Sequence, residues 1–214
     1  MAAPERIFGF DLTPVPASTA ALPLTDLTIR RGYGAFDFLR VEENVPLFLD
    51  DHLDRLERSA DLLGLAPRPT PDALRAHVLD VIAANEERSF GMQLFLTGGD
   101  PDDGFAPGRP RTLVLIVDLP SYPEAAYRDG VRLLEHRFER DLPVAKTTNY
   151  FTAVRHAGAL REAGATDLLY HDGRRVLETT RCNLFVLGDD DRWATPAEGV
   201  LPGITRLHVL DTLG

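Results

Sequence analysis

The sequence contains very little cysteine and no long apolar run. Cys182 is the only cysteine among 214 residues, which excludes an internal disulfide framework and is typical of a protein in a reducing compartment. A membrane-spanning helix needs about 20 consecutive apolar residues, and no stretch of the chain approaches that length. The opening residues MAAPERIFGF contain no signal-peptide core. We therefore predict a cytoplasmic protein with no membrane contact.

Positive charge is scarce relative to negative charge. Lysine and arginine total 23 against 33 aspartates and glutamates, which gives a formal net charge of −10. Because nucleic-acid binding needs a positive face to displace counterions, we expect no nucleic-acid partner. The chain also lacks a Walker loop and the HExxH and GxSxG motifs, and His52 has no second ligand at metal spacing. We predict no metal site.

The rest of the composition is that of an ordinary globular chain, with 44% hydrophobic and 26% charged residues. This length suits one large domain or two small ones. Two prolines in LPSYP, residues 119–123, mark a domain boundary after a predicted strand. We predict a small N-terminal α/β domain over residues 1–118, a linker at 119–124 and a C-terminal domain over 125–214.

Local patterns predict strands and two long helices in the N-terminal domain. Ala35 to Val41 is rich in aromatic and branched residues, as strands are. Asp50 or Asp51 is predicted to cap a helix that continues through Leu63, and Thr70 is predicted to cap the next helix. Two further strands are predicted, Ser89–Thr97 and Arg111–Asp118.

The second half of the chain is predicted to alternate strands and helices. Apolar residues recur at helical spacing from Asn149 to Gly164. Asp172-Gly173 is the signal for a type I′ hairpin turn. The strands predicted here are Val131–Phe138, Thr166–His171, Arg174–Glu178 and Asn183–Leu187, and a final helix begins near Ile204.

Three features in this half carry chemistry. Lys146 stands at the entry to a predicted helix, Glu178 ends a predicted strand, and LPGITR, residues 201–206, opens another helix. A lysine, a carboxylate and a helix N-terminus are what pyridoxal phosphate needs: an amine for its aldehyde, an anion for its ring nitrogen and N–H groups for its phosphate. On position alone, Lys146 is as readily a solvated lysine, and Glu178 an edge-strand acid that faces water.

Four motifs in this order resemble a known family. RRGYGAFDFLRV, KTTNY, VLETTRCNLF and LPGITR are similar to segments of the class IV (fold-type IV) pyridoxal-phosphate-dependent aminotransferases. That family includes branched-chain aminotransferases, D-amino-acid aminotransferases and aminodeoxychorismate lyase. The resemblance implies an α/β, two-domain fold with a small N-terminal α/β domain and a barrel-like C-terminal domain. It also implies pyridoxal 5′-phosphate as cofactor and a homodimer.

The resemblance assigns roles residue by residue. Lys146 is the catalytic Schiff-base lysine, and Glu178 keeps the ring nitrogen protonated. Tyr150, placed on the same helical face as Lys146, bonds the ring oxygen. Arg55 contacts the phosphate, as do Ile204 and Thr205 at a helix N-terminus. The implied substrate-binding residues are Tyr33, Phe36 and Arg181.

Two departures from the family pattern affect these expectations. Some relatives have a carboxylate-binding arginine about where Gln93 stands, and Arg181 replaces a small residue. Arg181 is either a substitute carboxylate clamp or a surface ion-pair partner. Family members also continue several dozen residues past the last helix, so we expect a short form, a truncated product or a fragment.

Three functions follow from this pattern. The first is amino-group transfer between an amino acid and a 2-oxo acid. The second is a lyase of the aminodeoxychorismate type, which keeps the same lysine. The third is a family remnant that binds the cofactor weakly or not at all.

Overall fold

The computed structural model describes residues 4–213, which form two compact units. The first unit runs to Pro120 and also includes Ala145–Asn149, and the second holds the rest of the chain after Pro120. The predicted linker at 119–124 spans the point where the first unit ends. The segment around Lys146 groups with the first unit although it follows that linker.

A six-stranded antiparallel sheet forms the body of the first unit. Its strands are β1 (Ile7–Phe10), β2 (Thr13–Pro16), β3 (Gly34–Glu42), β4 (Val45–Pro46), β5 (Phe90–Thr97) and β6 (Thr112–Val117). They lie in the order β2-β1-β6-β5-β3-β4. The register places Phe36 of β3 opposite Phe95 of β5. The predicted strand beginning at Ala35 is therefore paired along its whole length with β5.

Two long helices, α2 (Leu49–Leu62) and α3 (Pro71–Ala83), pack on this sheet. They follow the short helix α1 (Leu27–Arg31) and a 3₁₀ turn at Ala17–Thr19. Thr70 caps α3 as predicted, because its hydroxyl accepts a bond from the Ala73 N–H at 3.3 Å. The predicted cap of α2 is wrong: the helix begins at Leu49, so Asp50 and Asp51 lie in its first turn.

Leucine, valine and methionine side chains fill the space between these helices and the sheet. Burying such side chains supplies most of the free energy that folds a domain of this size. The largest fully buried ones include Leu39, Leu56, Val78, Val81, Met92 and Ile116.

The second unit contains shorter elements. Its strands are β7 (Leu133–Arg137), β8 (Asp167–His171), β9 (Val176–Thr179), β10 (Val186–Leu187) and β11 (Trp193–Ala194). Its helices are α4 (Glu124–Arg128), α5 (Phe151–Arg155), α6 (Ala157–Ala163) and α7 (Ile204–Leu213). Strand β8 pairs with β7 in parallel and with β9 antiparallel. Its small core consists of Leu168, Tyr170, Leu177 and Val200, to which β8 and β9 contribute all but the last.

Three predictions for this unit need correction. The predicted helix from Asn149 to Gly164 is two helices, α5 and α6, which meet at His156. The hairpin exists, but its turn is not type I′, because only Gly173 of the two central residues has a positive φ. Strand β10 begins at Val186, three residues later than predicted. Among residues 4–213, no helix has the length and apolar character needed to cross a membrane.

Candidate active site

Backbone hydrogen bonds hold Ala145–Asn149, which we call the lysine segment, against β3. The Phe36 N–H donates to the Lys146 carbonyl at 2.9 Å, and the Thr148 N–H donates to the Gly34 carbonyl at 2.9 Å. Lys146 is therefore not at the entry to a helix, as predicted, but in an extended segment bridged to β3. The prediction that Tyr150 shares its helical face is wrong for the same reason.

A buried serine holds the other side of Lys146. The Lys146 N–H donates to the Ser59 hydroxyl at 3.0 Å, and that hydroxyl donates to the Arg55 carbonyl at 2.8 Å. Ser59 is completely buried in α2. Both backbone polar groups of Lys146 are thus bonded, which fixes where its side chain begins.

The Lys146 amine lies over an aromatic ring. Its Nζ is 4.7 Å from the centroid of the Phe36 ring, and Phe36 stacks on Phe95 with centroids 5.6 Å apart. A cation in this position is attracted by the face of the ring. The first unit therefore brings together two predicted site residues, Lys146 and Phe36.

Arg55 belongs to a buried charged cluster beneath β3. Asp37, with no exposed surface, accepts bonds from Arg55 Nε at 2.8 Å, from Arg55 Nη2 at 2.7 Å and from His52 Nδ1 at 2.7 Å. Burial alone would raise the pKa of Asp37, but the bonds from Arg55 and His52 outweigh burial and lower that pKa. The phosphate role of Arg55 stays a prediction, because two of its donor groups are engaged by Asp37.

We expect Asp37→Asn to lower the free energy of unfolding by about 3–5 kcal/mol, because it leaves the Arg55 charge buried without its partner. The folded pKa of Asp37 is depressed, so its stabilising contribution is present above about pH 3.9, its unfolded value. That contribution is lost as the pH falls through the folded pKa. Urea unfolding at pH 7 and at about pH 2.5, which is below the unfolded pKa of about 3.9, measures both effects: the difference between the two proteins should shrink at the lower pH.

Asp54→Asn is the matched control for this prediction. Asp54 lies on the exposed side of the same helix. A loss of stability in Asp54→Asn as large as that in Asp37→Asn would contradict the assignment of the effect to the buried cluster.

We expect Ser59→Ala to loosen the lysine segment. The change leaves the Lys146 N–H without its acceptor, and an unsatisfied buried donor costs about 1–3 kcal/mol. Hydrogen–deuterium exchange of a peptide spanning residues 145–149 should become faster. Ser89→Ala, which removes a bond from the exposed Glu43 N–H, should leave that peptide unchanged. Equal exchange in both variants would show that Ser59 does not anchor the segment.

Tyr33 contacts the first core through its ring and bonds through its hydroxyl. It packs against the buried cluster of α2, α3 and the sheet, and its hydroxyl donates to the Leu63 carbonyl at 2.8 Å. Its predicted substrate contact is not tested by this arrangement.

The second unit contains a buried glutamate group, which we define as Glu178, Arg140, Asn183 and Leu201. Glu178 Oε2 accepts bonds from the Leu201 N–H at 3.1 Å and from Asn183 Nδ2 at 3.2 Å, and Oε1 pairs with Arg140 Nη2. Only 5% of Glu178 is exposed. The alternative of an edge-strand acid facing water is therefore wrong.

Asn183 links this group to the predicted phosphate-binding segment. Its Nδ2 also donates to the Leu201 carbonyl at 2.9 Å. A Cβ at Gly203 would lie 2.0 Å from Asn183 Oδ1, so any other residue there would displace the Asn183 side chain. Asn183 thereby fixes the backbone of the chain that leads into α7.

The start of α7 is placed as predicted at Ile204. Ile204 is buried and Thr205 is exposed, and the first N–H groups of a helix have no partner within it. Arg206 donates from Nε to the Thr195 hydroxyl at 3.0 Å and from Nη2 to the Pro196 carbonyl at 2.7 Å. These bonds connect the first turn of α7 to the preceding loop.

Tyr150 stands immediately before α5 and is largely enclosed. Burial raises the pKa of its phenol, as do the charges of Glu178 and Asp167, while Arg140 and Arg181 act in the opposite direction. The net effect is a raised pKa, so the phenol keeps its proton at neutral pH and can donate a hydrogen bond.

Arg181 reaches out of the second unit. Just over half of its side chain is exposed, and its Nε lies 3.8 Å from Asp167 Oδ2. Such a distant, exposed pair contributes little stability. Both readings of Arg181, substrate clamp and surface ion-pair partner, remain compatible with this position.

Three residues that bond to predicted site residues of their own unit were not singled out from the sequence: Asp37, Ser59 and Arg140. Asp37 carried a usable signal, since a charged residue between Phe36 and Phe38 in a buried strand needs a charged partner. Ser59 and Arg140 carried none, because their partners are far away in the chain. In the described part of the chain, no group of three or more His, Cys, Asp or Glu side chains is arranged to hold a metal ion.

The family model described as amino-transferase class IV matches residues 34–214. A putative branched-chain-amino-acid aminotransferase of Methanocaldococcus jannaschii is 27% identical over 202 residues, covering 90% of this chain and 69% of its own length. This chain is therefore shorter than that relative.

Solved structures show the same likeness. The fold IV transaminase CpuTA1 of Curtobacterium pusillum is 27% identical with a TM-score of 0.79, covering 94% of this chain and 73% of that one. The 4-amino-4-deoxychorismate lyase of Pseudomonas aeruginosa is also 27% identical with a TM-score of 0.81, covering 96% and 76% of the two chains. The predicted α/β, fold-type IV class is confirmed.

Proposed function

We propose, from the premise that this chain belongs to the amino-transferase class IV family, that it moves an amino group between an amino acid and a 2-oxo acid with Lys146 as the catalytic residue. The proposal depends on one observation: the backbone of Lys146 is held in place by hydrogen bonds on both sides. Lys146 is the only lysine among 214 residues, and both of its backbone polar groups are bonded in the first unit.

Class IV aminotransferases use pyridoxal phosphate, the cofactor predicted from the sequence. When bound, this group supplies an aldehyde carbon for an amine and a ring that accepts electrons from the substrate. The donor set of the chain fits it. The first unit offers the Lys146 amine, and the second unit offers the buried Glu178 carboxylate and the N–H groups of the first turn of α7, which have no partner within the helix.

The roles proposed for these residues follow from their chemistry. Lys146 would hold the aldehyde carbon of the cofactor through Nζ, and once the substrate amine displaces it, the freed Lys146 amine would carry a proton to and from the substrate carbon. Glu178 accepts a hydrogen bond from the ring nitrogen, and Tyr150 donates one to the ring oxygen. The proposed phosphate contacts are Arg55, Ile204 and Thr205, and the proposed substrate contacts are Tyr33, Phe36 and Arg181.

A lyase of the aminodeoxychorismate type is the second candidate. The likeness to the Pseudomonas aeruginosa lyase at 27% identity favours it. Both reactions use the same lysine, so they are separated by products. An aminotransferase converts a 2-oxo acid to an amino acid when supplied with L- or D-amino acid donors, whereas the lyase releases pyruvate from aminodeoxychorismate.

The single lysine makes the test of cofactor binding unusually sharp. We would incubate the protein with pyridoxal phosphate, reduce it with borohydride, and locate the added mass by peptide mass spectrometry. One cofactor per chain on Lys146 supports the proposal. Labelling of the N-terminal amine alone, together with no turnover of any donor, would contradict it and favour the family remnant.

We further propose a homodimer, as the family resemblance implies. Val186, Leu187 and Trp193 are each at least half exposed on β10 and β11, and a second copy would cover them. Sedimentation at several protein concentrations tests this. The cytoplasmic location stays a prediction from the single cysteine.

A further inference from the structure

The two oxygens of Glu178 have different partners. Oε2 accepts bonds from two neutral donors, the Leu201 N–H and Asn183 Nδ2. Oε1 pairs with the guanidinium of Arg140, which approaches from the loop between β7 and the lysine segment. Among these three bonds, the one from Arg140 is the only one that carries a charge.

A carboxylate does not fix its own orientation. The last torsion of a glutamate side chain is broad and roughly two-fold, so its partners decide which way the two oxygens point. A charged donor is roughly twice as strong as a neutral one. Arg140 therefore contributes most to the choice of orientation.

We propose that Arg140 is a positioning residue that holds the Glu178 carboxylate in one rotational state, with Oε1 on its guanidinium and Oε2 on the Leu201 N–H. Glu178 then presents one fixed lone-pair direction to a ring nitrogen. This inference rests on the proposed function, since it concerns how firmly Glu178 holds the cofactor ring.

Arg140 also acts on a second proposed cofactor contact. Burial is the largest effect on the pKa of Tyr150 and raises it, while the positive charge of Arg140 acts in the opposite direction and lowers it. One guanidinium thus lies close to both proposed ring contacts of this unit, the acceptor Glu178 and the donor Tyr150.

A purely structural role for Arg140 is the competing explanation. A buried carboxylate needs a counter-charge, and Arg140 could supply it without influencing the chemistry. In that case, removing Arg140 would lower the melting temperature but would not change how the protein distinguishes cofactors with and without a ring nitrogen.

The test compares Arg140→Gln and Arg140→Lys with wild type, and uses Arg175→Gln as the control. Arg175 is an exposed arginine of the same unit paired with Asp172 at 3.0 Å. The apoprotein affinity is measured for pyridoxal phosphate and for its 1-deaza analogue, in which a CH group replaces the ring nitrogen. The ratio of the two affinities reports the hold of Glu178 on that nitrogen.

We expect Arg140→Gln to reduce this ratio by about 10-fold, the order seen when an outer-shell partner of a functional group is lost. Arg140→Lys, which keeps the charge, should restore part of it, and Arg175→Gln should equal wild type. In turnover, kcat should fall in Arg140→Gln while KM for the amino donor changes little. Ultraviolet titration of the Arg140→Gln apoprotein should show that the pKa of Tyr150 is higher than in wild type. The double variant Arg140→Gln, Tyr150→Phe should not show this raised tyrosine pKa.

An unchanged affinity ratio in Arg140→Gln, with wild type loaded on Lys146, overturns the inference and leaves the proposed function standing. If wild type itself takes up no cofactor on Lys146, the proposed function fails and the inference falls with it.

Discussion

Lys146→Ala should reduce amino-group transfer by at least about 10⁴-fold, since general acid–base catalysis alone contributes about 10²–10⁴-fold and this change also removes covalent attachment of the cofactor. Because the chain has no second lysine, no neighbouring side-chain amine can substitute. The expected protein is folded, lacks the visible absorbance of a bound cofactor, and takes up no borohydride-fixed mass at position 146.

Two variants sharpen this expectation. Lys146→Arg keeps a positive charge beside Phe36 but has no amine for the aldehyde, so it should be as inactive as Lys146→Ala. Thr147→Ala changes the next residue but keeps the backbone bonds that Lys146 and Thr148 make to β3, and it should keep most of the activity. Activity in Lys146→Arg within about 10-fold of wild type would rule out the catalytic role, given the size of the acid–base contribution.

Glu178→Gln should lower kcat by about 10²–10³-fold, the usual loss when a preorganised electrostatic partner is removed from an active site. Glutamine keeps the size of the side chain and can still accept from the Leu201 N–H, but it carries no charge to match a protonated ring nitrogen. It also leaves Arg140 without its carboxylate, so a lower melting temperature is expected as well.

Glu198→Gln is the matched control for that change. Glu198 is a well exposed glutamate of the same unit, 3.7 Å from Arg175. Steady-state kinetics and melting temperatures of both variants separate a loss of chemistry from a loss of stability. Wild-type kcat in Glu178→Gln would show that this acid does not contact the reacting cofactor.

The elements of the first unit were largely predictable because their signals are local. Thr70 before Pro71 caps α3, and the aromatic and branched residues after Gly34 form strand β3. The cap of α2 was not predictable, because the residue before the helix, Phe48, has left-handed backbone and no side-chain bond to the helix. Aspartates at the second and third positions of a helix look the same in sequence as a capping aspartate.

The conformation of the lysine segment depended on residues far away in the chain. KTTNY leads into a helical pattern predicted from Asn149, so local spacing places Lys146 at the entry to that helix, whereas the helix begins at Phe151. The backbone bonds to Phe36 and Gly34 keep the segment extended instead. Arg140 could not be predicted for the same reason, because its partner Glu178 stands 38 residues later in the chain.

The chemistry was more predictable than the geometry. The resemblance of four motifs, two of which contain Lys146 and Glu178, implied the family, and that part is confirmed by the match over residues 34–214. Their individual roles stay proposals. From the sequence, Glu178 was either a partner of the cofactor ring or an acid that faces water, and its burial excludes an acid that faces water.

The way the lysine segment is held has an evolutionary consequence. Apart from one bond from the Thr148 hydroxyl to the Gly34 carbonyl, its bonds to β3 come from main-chain atoms, which every residue type other than proline provides in full. Positions such as 147 and 149 can therefore drift among related sequences without displacing the amine. Divergence around a reactive lysine of this kind would change what the surrounding surface recognises while the reactive group stays where it is.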